Sequence, residues 1–287
     1  GGGALLAANL VIISSAGALG ISTELAVRVS LLSAGLWWGG FAIITFRRLK
    51  VRVPTKQPPP GQPYLRIGIR ELANTFRELR RLPRTLQYLI AYMGFSDGIQ
   101  TVITVASVFL AQELFVSKGL PTDESFLVRL ILVIQFVAFG GTILFERMAA
   151  RVGTKTAILI SLFVWTSVVI YAYAWLQTTA QAWGLGVVIA LVLGGSQALS
   201  RSLFSQMIPC GREASFFGLY EIAERSTSWI GPLIFGMVVA MTNSYRRAIL
   251  SLIILFVFGI VILLFTDTRR AVHDAGNRLP EEAAALS

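Results

Sequence analysis

The chain has 287 residues, 55% of them hydrophobic and only 14% charged. Soluble domains carry about 25% charged residues, so a fully water-solvated surface is excluded and lipid must replace water over much of the exterior. The formal net charge of +10 does not argue for nucleic acid as a partner, because the basic residues flank long apolar runs instead of lining one polar face.

A spanning helix needs about 20 mostly apolar residues. In chain order, eight segments qualify, at about 3–22, 29–46, 86–113, 126–146, 156–176, 183–205, 214–241 and 247–266. The expected fold is therefore an all-α membrane protein with eight transmembrane helices. The first segment starts at Gly1-Gly2-Gly3 inside an apolar run, with no methionine, and the chain is expected to be a fragment. In the second, Gly35 and Gly39 form a GxxxG pair that predicts close helix packing.

The stretch 47–84 is the one long break between these segments. Its start, with Pro54, Pro58, Pro59, Pro60 and Pro63, cannot be a regular helix. In its second part Ile69, Leu72, Phe76 and Leu79 recur at helical spacing, with Arg66, Arg70, Arg77, Arg80 and Arg81 largely on the other faces. That pattern predicts a basic amphipathic helix on an anionic inner leaflet. The expected organisation is 1–46 as two helices of one half, 47–84 as a cytoplasmic linker, 85–266 as a six-helix half, and 267–287 as a cytoplasmic tail.

Lys and Arg orient the spans. With 47–84 on the cytoplasmic side, nineteen basic residues fall inside and five outside, Arg225 lying within a span. The C-terminus is then cytoplasmic and the chain multi-pass. Trp175, Trp183 and Tyr245 near span ends fit an interfacial aromatic belt.

Ionisable residues inside spans cost at least about 2.5–3.5 kcal/mol at the bilayer centre, so they point to function. Asp97 falls near the midplane of its span, with Gln100 one turn on. It reads either as a carboxylate that carries a proton or binds an ammonium group, or as a structural acceptor for a neighbouring helix. Glu221, Glu224 and Arg225 share one span, and Glu221 and Arg225 stand i,i+4 with the acid first, the favourable order for a pair. They read as a charge relay or gate, or as a structural lock. Gln197 and Arg201 are also one turn apart, and Arg201 either snorkels to the interface or pairs with Glu221 or Glu224. Gly194-Gly195 and Gly231-Pro232 are expected to interrupt two helices.

One cysteine, Cys210, and one histidine, His273, exclude an internal disulfide framework and a Cys/His metal cluster. The spans hold no His-acid pair or nucleophile motif, so no enzyme and no cofactor are expected.

The residues in and around the last spans carry a resemblance. The run from Gly194-Gly195-Ser196-Gln197 through Arg201-Ser202-Leu203-Phe204 to Met207-Ile208-Pro209, then Gly211-Arg212-Glu213-Ala214, Phe216-Phe217-Gly218-Leu219-Tyr220-Glu221 and Ser228-Trp229-Ile230-Gly231-Pro232-Leu233, resembles the bacterial branch of the autophagy-related vacuolar amino-acid effluxer-like family of the major facilitator superfamily. Asp97-Gly98-Ile99-Gln100 and Phe109-Leu110-Ala111-Gln112-Glu113 look like its seventh span. The resemblance implies helices five to twelve of a twelve-helix fold, in a bacterial cytoplasmic (inner) membrane. It further implies alternating access about a central site and efflux or exchange of amino acids or similar small solutes. The half-site would be built on Asp97, Gln100 and Gln197. In the loop after the fourth segment, Arg151, Gly153 and Lys155 match the superfamily pattern, but Ala150 replaces its acid, and Glu146 stands one turn back as a substitute. The expected function is secondary transport of a small-molecule substrate, coupled to protons, by a chain that is monomeric when complete. The alternative is a scaffold or sensor that keeps the fold and moves nothing.

Overall fold

The computed structural model describes residues 2–18, 20–49 and 64–277. The proline-rich start of the linker (50–63) and the end of the tail (278–287) lie outside them. Every regular element among the described residues is helical.

The chain divides into two units, Gly1–Pro63 and Tyr64–Ser287. The first holds α1 (Gly2–Ser14) and α2 (Thr23–Arg48). Ser22 caps α2 by accepting from the Leu25 N–H. Asn9 joins the pair, donating to the Ser30 carbonyl at 3.2 Å and accepting from the Ser33 hydroxyl at 2.9 Å. Polar side chains commonly hold apolar helices together in this way. A Cβ on Gly35 or Gly39 would meet no other part of the described residues within 4 Å, so the GxxxG pair is not needed for a close helix approach there.

The second unit runs α3 (Tyr64–Arg80), α4 (Pro83–Leu114), α5 (Glu124–Val152), α6 (Thr154–Ala174), α7 (Thr179–Gln206), α8 (Glu213–Thr227), α9 (Ile230–Thr242), α10 (Tyr245–Ser251), α11 (Ile253–Phe265) and α12 (Thr268–Asp274). Pro83 opens α4 at its first turn, where its missing N–H is harmless. Thr178 and Gln181 close a reciprocal capping box on α7. The core between these helices is apolar and aromatic, with Trp165 stacked on Phe256 at 6.1 Å.

Six helical stretches are long and apolar enough to cross a membrane: Glu24–Arg48, Pro83–Lys118, Glu124–Val152, Thr154–Ala174, Thr179–Gln206 and Tyr245–Phe265. The chain is thus an all-α, multi-spanning membrane protein, but with six such helices among the described residues and not the eight expected. The first discrepancy is α1, which has 13 residues. The second is the segment 214–241, which is divided into α8 and α9 at Ser228-Trp229.

That division has a local cause. Pro232 has no N–H to offer the Ser228 carbonyl. The Gly231 N–H leaves the ladder and donates to Asp97 on α4. Side chains satisfy two carbonyls in the last turn of α8. Ser228 Oγ donates to the Arg225 carbonyl at 2.9 Å, and Trp229 Nε1 donates to the Ser226 carbonyl at 2.8 Å.

The other expected interruption is absent, since α7 runs unbroken through Gly194 and Gly195. These glycines instead let α7 and α5 approach closely. A Cβ on Gly195 would lie 2.3 Å from Phe145 Cγ, and one on Gly141 would lie 2.3 Å from the Leu191 carbonyl oxygen. At the end of the bundle opposite Lys155 and α12, Arg246 donates to Glu113 at 2.7 Å and to the Tyr173 carbonyl at 2.9 Å, and also bonds the Leu176 carbonyl. One guanidinium therefore ties the end of α4 to the end of α6. The tail is not free at its start: α12 docks through Asp274 on Arg84 at 2.7 Å, and Asn277 donates to the Gln206 and Ile208 carbonyls.

Gly141→Ala should lower the thermal midpoint in detergent, corresponding to roughly 1–3 kcal/mol of overpacking. Gly140→Ala, which meets open space, should leave the midpoint nearly unchanged. Equal effects at the two positions would show that α5–α7 contact does not depend on the missing side chain.

Candidate functional site

Asp97 projects from the middle of α4, and only 3% of its surface is exposed. Gly98 on the same turn lets α11 approach, since a Cβ there would lie 3.2 Å from Leu255 Cβ. The Asp97 Oδ2 atom accepts the Gly231 N–H at 2.7 Å. Gly231 is the second residue of α9, where backbone N–H groups have no partner within the helix. A carboxylate at that position satisfies one orphan donor and favours the positive end of the helix dipole. Only glycine fits there: a Cβ on residue 231 would lie 2.1 Å from Thr101 Oγ1 and 3.3 Å from Asp97 Oδ1.

Beside this junction is a polar cavity of about 330 Å³. Ser96, Asp97, Gln100, Thr101 and Thr104 line it from α4, Arg201 from α7, and Glu221, Glu224 and Arg225 from α8. Ser228 and Pro232 line it at the break. Carboxylates and guanidiniums thus face one space among otherwise apolar helices.

The charges are connected in series. Arg201 Nη2 donates to Glu221 Oε1 at 2.8 Å and stands 3.9 Å from Glu224 Oε2. The Tyr92 hydroxyl donates to Glu224 Oε2 at 2.7 Å. Tyr92 stacks on Tyr220, ring centroids 4.3 Å apart, so the aromatic floor of the chain is fixed. The Arg201–Glu221 pair bridges α7 and α8 and is about half exposed, with side-chain accessibilities of 54% and 41%. A pair this open contributes about 0–1 kcal/mol and can break and re-form at little cost.

The structure brings together Asp97, Gln100, Arg201, Glu221, Glu224, Arg225 and the Gly231-Pro232 break. It separates others. Gln197 is exposed and does not line the cavity, although it sits one turn from Arg201. The anticipated pairing of Glu221 with Arg225 within α8 does not form: Arg201 from the adjacent helix takes Glu221, and Arg225 has no ion pair among the described residues.

The loop residues lie elsewhere. Lys155 Nζ donates to the Leu264 and Thr266 carbonyls at 3.0 and 2.8 Å, capping the C-terminal end of α11. Gly153 takes φ +87°, which glycine accommodates and which ends α5. Glu146 and Arg151 make no ion pair among the described residues. Glu146, Gly153 and Lys155 line a separate cavity of about 710 Å³ with α12, whereas Arg151 does not. Asp267, in that cavity, caps α12, and the Arg270 amide holds its carboxyl below the usual carboxylate range.

Sequence reasoning missed Tyr92 and Thr101, since an aromatic or hydroxyl residue in an apolar run carries no signal until its partner is known. It also missed Arg246 with Glu113, and Arg212 with Glu71 and Glu78. In each pair the partners are far apart in the chain. Among the described residues no group of His, Cys, Asp and Glu is arranged to hold a metal ion.

Gly231→Ala should destabilise the protein by about 1–3 kcal/mol through the clash with Thr101. Thr101→Ala should recover part of that loss in the double variant, a coupling of roughly 0.5–3 kcal/mol. Thermal unfolding of the four proteins measures it, and strictly additive effects would refute direct contact.

The family model described as Vacuole effluxer Atg22 like matches residues 1–276. The chain is similar to an uncharacterized MFS-type transporter, YxiO, of Bacillus subtilis, 30% identical over 279 residues that cover 96% of this chain and 62% of the relative. It is 28% identical over 283 residues to autophagy-related protein 22 of Yarrowia lipolytica, covering 88% and 46%. It is 26% identical over 294 residues to autophagy-related protein 22 of Saccharomyces cerevisiae, covering 91% and 54%. The chain therefore spans less than two thirds of the length of these curated relatives. Matched by that model over nearly its whole length, the chain belongs to the Atg22-like vacuole effluxer family.

Proposed function

We propose that this chain supplies helices five to twelve of a secondary transporter, of a bacterial branch of the family, that moves small solutes across the cytoplasmic membrane by alternating access. The observation that carries the reading is the placement of a buried carboxylate, Asp97, on the N-terminus of a helix that starts in mid-bundle, beside a cavity lined by both signs of charge. Transporters of this kind bind substrate where helices are discontinuous and half-helix ends face a cavity. On this reading α8 and α9 together form one broken crossing, which restores a span that neither helix makes alone. The basic residues orient the C-terminus to the cytoplasm, and the complete chain works as a monomer.

The chemistry follows from the charges. A hydrogen bond to an ionised carboxylate is about twice as strong as one between neutral groups. A proton on Asp97 therefore weakens its hold on Gly231 and frees α9 to pivot at Ser228-Trp229. The groups facing Asp97 across the cavity are Arg201, Glu221, Glu224 and Arg225, and a proton arriving there meets Glu224 and Tyr92 on the way. Arg225 serves as the anion-binding group for a substrate carboxylate, and an amino acid satisfies both it and the acids opposite. Family membership in a group described as effluxers supports export as the direction.

Flux by the full-length protein in proteoliposomes tests this reading. Asp97→Asn keeps an acceptor for Gly231 but cannot ionise, so it should abolish the dependence of flux on a pH gradient. Intact pH-driven flux in this variant would remove the coupling role. Arg225→Gln should raise the apparent KM for a carboxylate-bearing substrate about tenfold or more, the loss expected for a charge-assisted hydrogen bond. An unchanged KM would remove Arg225 from the site. Silence across broad substrate panels would favour a scaffold or sensor built on the same fold.

A further inference from the structure

α3 has two faces with different fates. Arg212, at the start of α8, holds one face: its guanidinium reaches Glu71 at 3.0 Å and Glu78 at 2.9 Å. Thr75 and Leu79 are buried on that same face. Glu71 and Glu78 are the only acids in α3, and both are engaged by Arg212.

The opposite face is left with apolar and cationic groups. Ile69 is 60% exposed and Phe76 41%. At about 100° per residue, these two fall within a narrow arc, and Arg80, Arg66, Arg77 and Arg70 follow around the next ~80°. All four arginines are exposed, and none has an ion pair among the described residues. The Arg80 guanidinium lies over the Phe76 ring at 4.8 Å, joining the apolar edge to the basic one.

We propose that this outward face of α3 is a docking surface for anionic phospholipid, with Ile69 and Phe76 entering the acyl boundary and the four arginines binding headgroup phosphates. Two features favour lipid over water or protein. Exposed apolar side chains in a narrow strip match the shallow insertion of an interfacial helix. Four adjacent cations, with the acids of the helix drawn to the other side, match a negatively charged leaflet. A protein partner would have to bring four or so carboxylates of its own to the same strip. Arginine suits the task, because its planar guanidinium binds phosphate in a bidentate fork. The inference is independent of transport and stands whether or not the chain moves a solute.

The test uses the full-length protein with every native cysteine replaced, Cys210 included, in nanodiscs of phosphatidylcholine alone or mixed with phosphatidylglycerol. Spin labels are placed by Ile69→Cys, Phe76→Cys and, as a control on the polar side, Asn74→Cys. Collision with oxygen reports lipid exposure, and collision with a water-soluble nickel chelate reports water exposure. The labels at 69 and 76 should favour oxygen in the phosphatidylglycerol discs and move toward the chelate in phosphatidylcholine alone. The label at 74 should stay in water in both. Replacing Arg66, Arg70, Arg77 and Arg80 by glutamine should make the phosphatidylglycerol discs behave like phosphatidylcholine, while lysine at the same positions should keep most of the difference. The proposal is overturned if labels at 69 and 76 collide freely with the chelate in both lipids, since the face is then solvated. It is equally overturned if they are shielded from both reagents, since protein then covers it. A lipid response that survives the glutamine variant would show that the arginines do not recognise the headgroups.

Discussion

In hydrocarbon a backbone N–H or carbonyl without a partner costs several kcal/mol, and no water is available to supply one. Most of this chain meets that constraint by uninterrupted helix. The junction of α8 and α9 meets it with side chains. Asp97 takes the Gly231 N–H, while Ser228 and Trp229 supply donors for carbonyls that the broken ladder would leave open. The polar cavity follows from that arrangement. A helix that ends in mid-bundle requires polar side chains beside it, and those side chains make room for a polar guest.

The same constraint divides the charges of the second unit into two kinds. Arg246 is enclosed by Glu113 and two helix-end carbonyls, and Lys155 by the carbonyls that end α11. These cations seal helix termini and have little freedom to do anything else. Arg201 and Glu221 are half exposed, and Arg225 has no ion pair among the described residues. Enclosed charges thus sit at the helix ends, and the half-exposed ones at the cavity.

Much of this was legible in the residue order. Spans of twenty apolar residues announce themselves, and an acid within one invites a search for its partner. The pairing of Arg201 with the α8 acids could be anticipated because all three lie at similar depth. Several expectations failed for physical reasons. Hydropathy averages over a window and so counted 214–241 as one span, although the interruption expected from Gly231-Pro232 does divide it into two helices. The Gly194-Gly195 pair has the composition of a break, but α5 packs against it and a continuous helix results. Gln197 shows the limit of spacing: one turn from Arg201 on the same helix, it still does not line the cavity. The bond between Asp97 and Gly231 joins residues 134 positions apart, a distance no local pattern bridges.

Arg212 gives α8 an unusual mechanical setting. At one end the helix is pinned to α3 through two carboxylates. At the other it stops at the Ser228-Trp229 break, beyond which α9 begins on a different support, Asp97. A helix of 15 residues held at one end by α3 and separated from α9 at the other packs as one rod between two supports. Arg212 and the cavity-lining Glu221 and Glu224 thus belong to one rigid segment, and the position of α3 and the shape of the cavity wall are set together.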